Sequence, residues 1–196
     1  MMVLSNICSK HLTKILYENG KIQPEFREAY QYSIDLAMDF VLFHGSLILL
    51  GLLTGHFLSA CIYIITMTPL KTLAGGAHAK TPLMCSIISY SVFFLTIYAA
   101  PTIRISSELS FVTIILLGIL IFTHAPVNHP NKQFSENQRK KIRNVLLIYL
   151  ITGSIINLIL LIFQAEDLLI IALCCYLITY FNQMIGLILY REVNTK

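Results

Sequence analysis

The chain has 196 residues, of which 56% are hydrophobic and only 12% charged, and its mean hydropathy is +0.73. Soluble domains carry roughly 25% charged residues, so a soluble enzyme, a nucleic-acid reader and a disordered tail are excluded, and most of the exterior must face lipid. The net charge of +4 says little as a total; the positions of the 14 Lys and Arg along the chain say more.

The first twenty residues have no uninterrupted apolar core and carry Lys10, His11 and Lys14 where one would lie, which argues against a cleaved signal. Leu4, Ile7, Cys8, Leu12, Ile15 and Leu16 instead recur at helical spacing opposite Lys10, Lys14 and Glu18. This pattern predicts an amphipathic helix ending near Gly20. Residues 1–31 form an inner-face segment, lying flat on anionic lipid or packed against the protein.

Crossing ~30 Å of hydrocarbon takes ~20 helical residues. Six apolar runs approach this length, over residues 34–53, 57–73, 83–100, 109–125, 145–163 and 168–190. Gly55-His56, Pro101 and Glu166-Asp167 punctuate them. With the N-terminus inside, every basic residue except Arg104 falls on the inner side, the asymmetry of the positive-inside rule. A four-span arrangement, with the second and third runs partly interfacial, keeps residues 71–80 on that same side. The fold class predicted is all-α: an integral-membrane bundle of about six transmembrane helices plus the N-terminal amphipathic helix. It forms a single membrane domain over residues 1–196, with the bundle at 34–190, multi-pass, and with both termini inside.

Five cysteines, Cys8, Cys61, Cys85, Cys174 and Cys175, make neither a disulfide framework nor a CxxC pair, which fits a reduced setting. Cys61, Cys174 and Cys175 lie in mid-span and read as packing residues. Cys8 and His11 stand at i, i+3 on the amphipathic helix, without a capping context.

The segment that carries chemistry is KTLAGGAHAKTPLMC, residues 71–85. Thr81-Pro82 reads as an N-cap followed by proline at the first helical position, which puts Cys85 in the first turn, where free N–H groups and the helix dipole favour a thiolate. On one continuous helix His78 and Cys85 would share a face but stand ~10 Å apart. They can meet only if the chain folds back, as Gly75-Gly76 and Pro82 permit. An imidazole beside the thiol would then yield a thiolate able to attack an amide carbonyl. Each part also has a plainer reading: Cys85 as a packing residue, His78 as a headgroup anchor, Gly75-Gly76 as a turn.

This string resembles the signature of the accessory gene regulator B (AgrB) family of membrane cysteine peptidases, which process quorum-sensing pheromone precursors. The segment Ala125-Pro-Val-Asn-His129-Pro-Asn-Lys132 and the basic run after it resemble that family's post-helix motif. The resemblance implies His78 and Cys85 as the catalytic pair, with Cys85 the nucleophile. It implies cleavage of the acidic C-terminal tail of an AgrD-like precursor through an acyl-enzyme, then displacement by a thiol or hydroxyl of the precursor to give a cyclic thiolactone or lactone. A homodimer in the bacterial cytoplasmic membrane, with its site on the cytoplasmic side, is also implied. Lys71 stands where the family usually has Arg, which keeps the charge but not bidentate carboxylate recognition.

Candidate substrate-binding residues are Lys71, Gly75, Gly76, Lys80 and, in a basic cytoplasmic loop over residues 127–143, Arg139, Lys140, Lys141 and Arg143. The loop charges would attract an acidic tail; their plainer role is topology. Asp35 and Asp39, one turn apart in the first span, are costly at such depth and are candidates to orient His78. Asn128, His129 and Asn182 are alternatives for an orienting or oxyanion group. A different class of function is a small transporter or channel with Asp35, Asp39, His44 and His56 along a polar path. The scattered histidines lack a ligand spacing, so no metal or other cofactor is expected; the expected partners are the precursor peptide and membrane lipid.

Overall fold

The computed structural model describes residues 2–77, 79, 81–130 and 133–194. Seven substantial helices follow in order: α1 (Met2–Glu18), α2 (Arg27–Leu53), α3 (Phe57–Ala74), α4 (Pro82–Ala99), α5 (Ser107–His124), α6 (Glu136–Ile162) and α7 (Glu166–Leu189). No strand occurs among the described residues. Helices α2 to α7 supply six stretches long and apolar enough to cross a membrane, so the protein is an all-α, multi-pass membrane protein. The chain divides into two compact units, Met1–Gly55 and His56–Lys196.

In the first unit α1 packs against α2. The buried seam of α1 is small and polar: Ser9 and Thr13 are sequestered, and Ser9 Oγ donates to Asp35 Oδ1 at 3.3 Å. Leu12 and Ile15 remain exposed, so the two placements weighed for this helix are divided between its faces: a polar stripe against α2 and an apolar stripe left outside. Gly20, at φ +66°, ends α1, with the Lys21 N–H returning to Leu16 O at 2.9 Å.

The second unit is organised around α7, which packs against α3, α5 and α6. Leu169, Leu173 and Tyr176 of α7 join Leu70 and Ala74 of α3, Ile114, Leu117 and Ile121 of α5, and Leu146 and Leu150 of α6 in one core. Helix α4 is more peripheral; Tyr63 of α3 meets its Phe93 edge-on at 5.2 Å. Outward side chains such as Leu83, Leu95, Ile148 and Ile188 are apolar and exposed, as a lipid-facing surface requires.

Pro69 lies inside α3 and has no N–H to give the carbonyl of Ile65, four residues earlier. Tyr149 of α6 supplies the missing donor: its hydroxyl lies 2.8 Å from Ile65 O and 3.2 Å from Thr66 O. A backbone acceptor stranded in hydrocarbon is thereby satisfied from the neighbouring helix.

The basic stretch expected as a loop over residues 127–143 is a loop only in part. Helix α6 begins at Glu136, so Arg139, Lys140, Lys141 and Arg143 occupy its first two turns. The cause is a capping box: Ser135 Oγ accepts from the Gln138 N–H at 3.3 Å, and Gln138 Oε1 accepts from the Ser135 N–H at 3.0 Å. Hydropathy marks where a helix enters lipid, whereas its cap marks where it starts.

Candidate functional site

Cys85 is placed by the start of α4. Thr81 is the N-cap; its Oγ1 accepts from the Met84 N–H at 3.2 Å, and Pro82 takes the first helical position. The Cys85 N–H already bonds Thr81 O at 3.0 Å. Pro82 has no N–H and that of Met84 is capped, so this first turn offers fewer open donors to a thiolate than its sequence suggested; the helix dipole remains. The Cys85 side chain is half-buried.

The Gly75-Gly76 turn at the end of α3 is held on both sides. Gly75 has φ +73°, and a Cβ there would stand 2.8 Å from Val127 O; the Val127 N–H bonds Ala74 O at 3.0 Å. Gly76 has φ +143°, and a Cβ there would strike Asn182 Nδ2 and stand 2.9 Å from Asn182 O. The Ala77 N–H bonds that same Asn182 carbonyl at 3.2 Å. On α7, a Cβ at Gly186 would come within 2.7 Å of Gly76 Cα. The glycines allow three backbones to touch, and they fix the turn.

Gln183, fully buried one residue beyond Asn182, ties this arrangement together. Its Nε2 donates to Ile121 O at 3.1 Å and to Ala74 O at 3.5 Å, joining the last turns of α5 and α3. The Ile121 carbonyl is among the last four of its helix and lacks an intrahelical partner. Gln183 was not singled out from the sequence; the available signal was a lone amide within an apolar span.

Against the turn lies a cavity of about 280 Å³. Lys71 and Thr72 from α3, Gly75, Gly76, Cys85, and Val127, His129 and Phe134 from the α5–α6 connection line it. The connection is braced by the Phe134 N–H, which donates to Asn128 Oδ1 at 3.3 Å, and by His129, whose ring stands edge-on to Tyr190 at 4.7 Å. The cavity therefore has a cationic and imidazole side, an apolar side and a thiol.

Of the residues proposed from sequence, Lys71, Gly75, Gly76 and Cys85 come together here. His78 and Lys80 lie outside the described residues. Arg139, Lys140, Lys141 and Arg143 are not among the cavity walls; Lys140 and Lys141 are exposed, Arg139 and Arg143 half-buried. Cys8 and His11 are both exposed on α1. Cys175 is fully buried, and Cys61 and Cys174 are half-buried within their spans. In the first unit Asp35 is taken up by Ser9, and His44 Nδ1 lies 2.7 Å from Phe40 O one turn back. Asp39 Oδ1 is buried with no hydrogen-bond partner among the described residues.

The family model for accessory gene regulator B matches residues 9–188 of this chain. The chain belongs to that family. The match takes in both the 71–85 segment and the 125–132 motif, and so both sides of the cavity. An AgrB-like protein 2 of Clostridium perfringens strain 13 is 26% identical over 145 residues, which is 69% of this chain and 64% of the relative. An AgrB-like protein of Clostridium perfringens strain SM101 is 28% identical over 151 residues, 70% of this chain and 66% of the relative. Both are named by their likeness to AgrB, and the match spans a little under two thirds of each. No solved structure matches the chain.

Proposed function

We propose that this AgrB-family protein is a membrane-embedded cysteine endopeptidase and cyclase, with Cys85 as nucleophile and His78 as its base. The observation that carries the reading is the position of Cys85: first turn of a helix, half-buried, on the wall of a cavity that also holds Lys71 and the glycine turn. The Cys85 thiolate attacks the carbonyl at the cleavage point of an AgrD-like precursor. The C–N bond breaks, and the leaving amine takes a proton from the imidazolium of His78 and departs with the acidic tail. A thiol or hydroxyl of the bound precursor then attacks the thioester and gives its proton to the imidazole. The Cys85 thiolate is released and the peptide leaves as a thiolactone or lactone.

Exchanging one thioester for another roughly conserves acyl-transfer potential, whereas water would discard it, so the site must favour the internal nucleophile. Val127 and Phe134 supply an apolar wall beside Cys85 that suits this requirement. Lys71, in the last turn of α3, places a cation in the cavity for substrate carboxylate. Lys80 and the basic face of α6 attract the acidic tail at longer range. The positive-inside pattern supports a cytoplasmic-side site in the bacterial cytoplasmic membrane, and the working unit is taken to be a homodimer.

Co-expression with an authentic precursor, followed by gel and mass spectrometry, tests the reading. Cys85→Ala abolishes tail release while Cys8→Ala leaves it intact; His78→Ala likewise abolishes it. Full processing by the Cys85 variant overturns the proposal, and release of linear peptide alone by the unmodified protein removes its cyclase half.

A further inference from the structure

A second site lies on the lipid-facing side of α5 and α6, away from Cys85. A groove of about 170 Å³ runs between these helices, with Ile114, Gly118 and Phe122 on one wall and Leu147, Leu150 and Ser154 on the other. From Ile114 to Phe122 it spans ~12 Å along the helix. Gly118 keeps it open: a Cβ there meets only Leu150 Cδ2 at 3.5 Å and Tyr176 Cε1 at 3.6 Å, ordinary contacts, with no other side chain filling the space.

The groove is apolar along its length and cationic at its mouth. Arg143, Leu147, Leu150 and Ser154 recur at the spacing of one helix face, so Arg143 continues the α6 wall by one turn beyond the apolar stretch. The structure shows that continuity directly, because the guanidinium of Arg143 sits 4.7 Å from the centre of the Phe122 ring, and that ring is itself a groove wall. Lys140, one turn earlier, is exposed on the adjoining face. Arg139 stands at the end of the first turn of α6, near the positive end of its dipole, where a cation is disfavoured, and Arg143 lies one turn further in. Among the described residues none of Arg139, Lys140, Lys141 and Arg143 forms an ion pair. An apolar channel ending at the polar boundary of its helix, under cations without carboxylate partners, has the complementarity of one molecule: an acyl chain bearing an anionic head.

We propose that the α5–α6 groove is a binding site for an anionic phospholipid of the inner leaflet, its acyl chain beside Gly118 and its phosphate at Arg143. A second copy of the chain is a poorer occupant. A two-fold axis along the membrane normal would bring the same cationic mouth to the same depth on both copies. The proposal does not rest on the peptidase reading; the two share Arg143, and the lipid is therefore counted in the absence of any precursor.

The test uses the full chain purified into mixed micelles holding phosphatidylglycerol and phosphatidylcholine with identical acyl chains at equal mole fraction, with retained lipid counted by native mass spectrometry. Phosphatidylglycerol is retained in preference. Arg143→Gln lowers its retention about fivefold, the worth of one basic residue at an anionic surface, and leaves phosphatidylcholine unchanged; Arg143→Lys keeps most of the preference. Gly118→Leu fills the groove and lowers retention of both lipids. Lys141→Gln, on the far side of α6, changes neither. Equal retention of the two lipids, or an Arg143→Gln variant indistinguishable from Lys141→Gln, overturns the proposal. So does a Gly118→Leu variant that loses dimer while keeping its lipid, which would assign the groove to a second copy.

Discussion

The two sides of the cavity are built to different standards of constraint. On the α3–α7 side, Gly75 and Gly76 press against Val127 and Asn182 at distances that exclude even a methyl group, and Gln183 ties the carbonyls beneath them. On the α4 side, Cys85 stands in the first turn of a peripheral helix, half-buried, held locally by the Thr81 cap. A stiff wall to position substrate and a lightly held thiol suit the reaction proposed above, in which an acyl group first reaches Cys85 and then leaves it for an atom of the substrate. The contrast makes a graded prediction: substitutions on the α3–α7 side are paid in folding, those on the α4 side in thiol reactivity.

The largest effect is expected at Gly76. Its φ of +143° is foreign to residues with a side chain, and an added methyl group meets both the Asn182 amide and its backbone. Gly76→Ala costs at least ~3 kcal/mol, from backbone strain together with overpacking. The variant loses the monodisperse peak in size-exclusion chromatography that Gly45→Ala, inside α2 with nothing within reach of its Cβ, retains. A Gly76→Ala protein as stable as its parent would break the comparison at its strongest point.

Gln183→Met is next, keeping the volume but leaving Ile121 O without its donor. A cost of about 2 kcal/mol is expected, seen as a lower Tm in detergent. Tyr149→Phe follows at about 1 kcal/mol, the scale of a hydrogen bond between membrane helices. A double cycle sharpens this case. Pro69→Ala restores the N–H that Ile65 O lacks, so Tyr149→Phe should cost less in that background than in the parent. Equal costs would mean that the hydroxyl serves some purpose other than the proline gap.

These positions also show which parts of the molecule were legible in its sequence. The six apolar runs became α2 to α7 because burial in lipid acts on stretches of chain, and a stretch is what hydropathy measures. Gly20 ended α1 for the equally local reason of its positive φ. Thr81-Pro82 marked the start of α4 in the same way, but counting the donors left open at that start needed coordinates. Gly75-Gly76 read only as a place where the chain can turn or fold back, since sequence records the absence of a side chain and not the backbone that fills its place. Gln183 and Tyr149 went unnoticed because the need each meets lies in other helices: carbonyls at the ends of α3 and α5 for one, a proline far away in sequence for the other. The beginning of α6 lies ahead of its apolar run because the Ser135–Gln138 capping box, and not hydropathy, sets it.

The smallest effect on folding, and the sharpest test of the α4 side, is Thr81→Ala. Losing the Thr81 Oγ1 bond to the Met84 N–H should cost about 1 kcal/mol as an N-cap deletion, and α4 shares few contacts with the core that would spread this cost through the protein. The helix then frays at its first turn, where the dipole acts on Cys85 most strongly. Global Tm should move little, while alkylation of Cys85 by a maleimide, followed in a background with the other cysteines replaced, changes measurably. Thr81→Ser keeps the oxygen and should keep the parent rate. If Thr81→Ala instead lowers Tm as far as Gln183→Met does, α4 is no more lightly held than α7, and the difference between the two walls is lost.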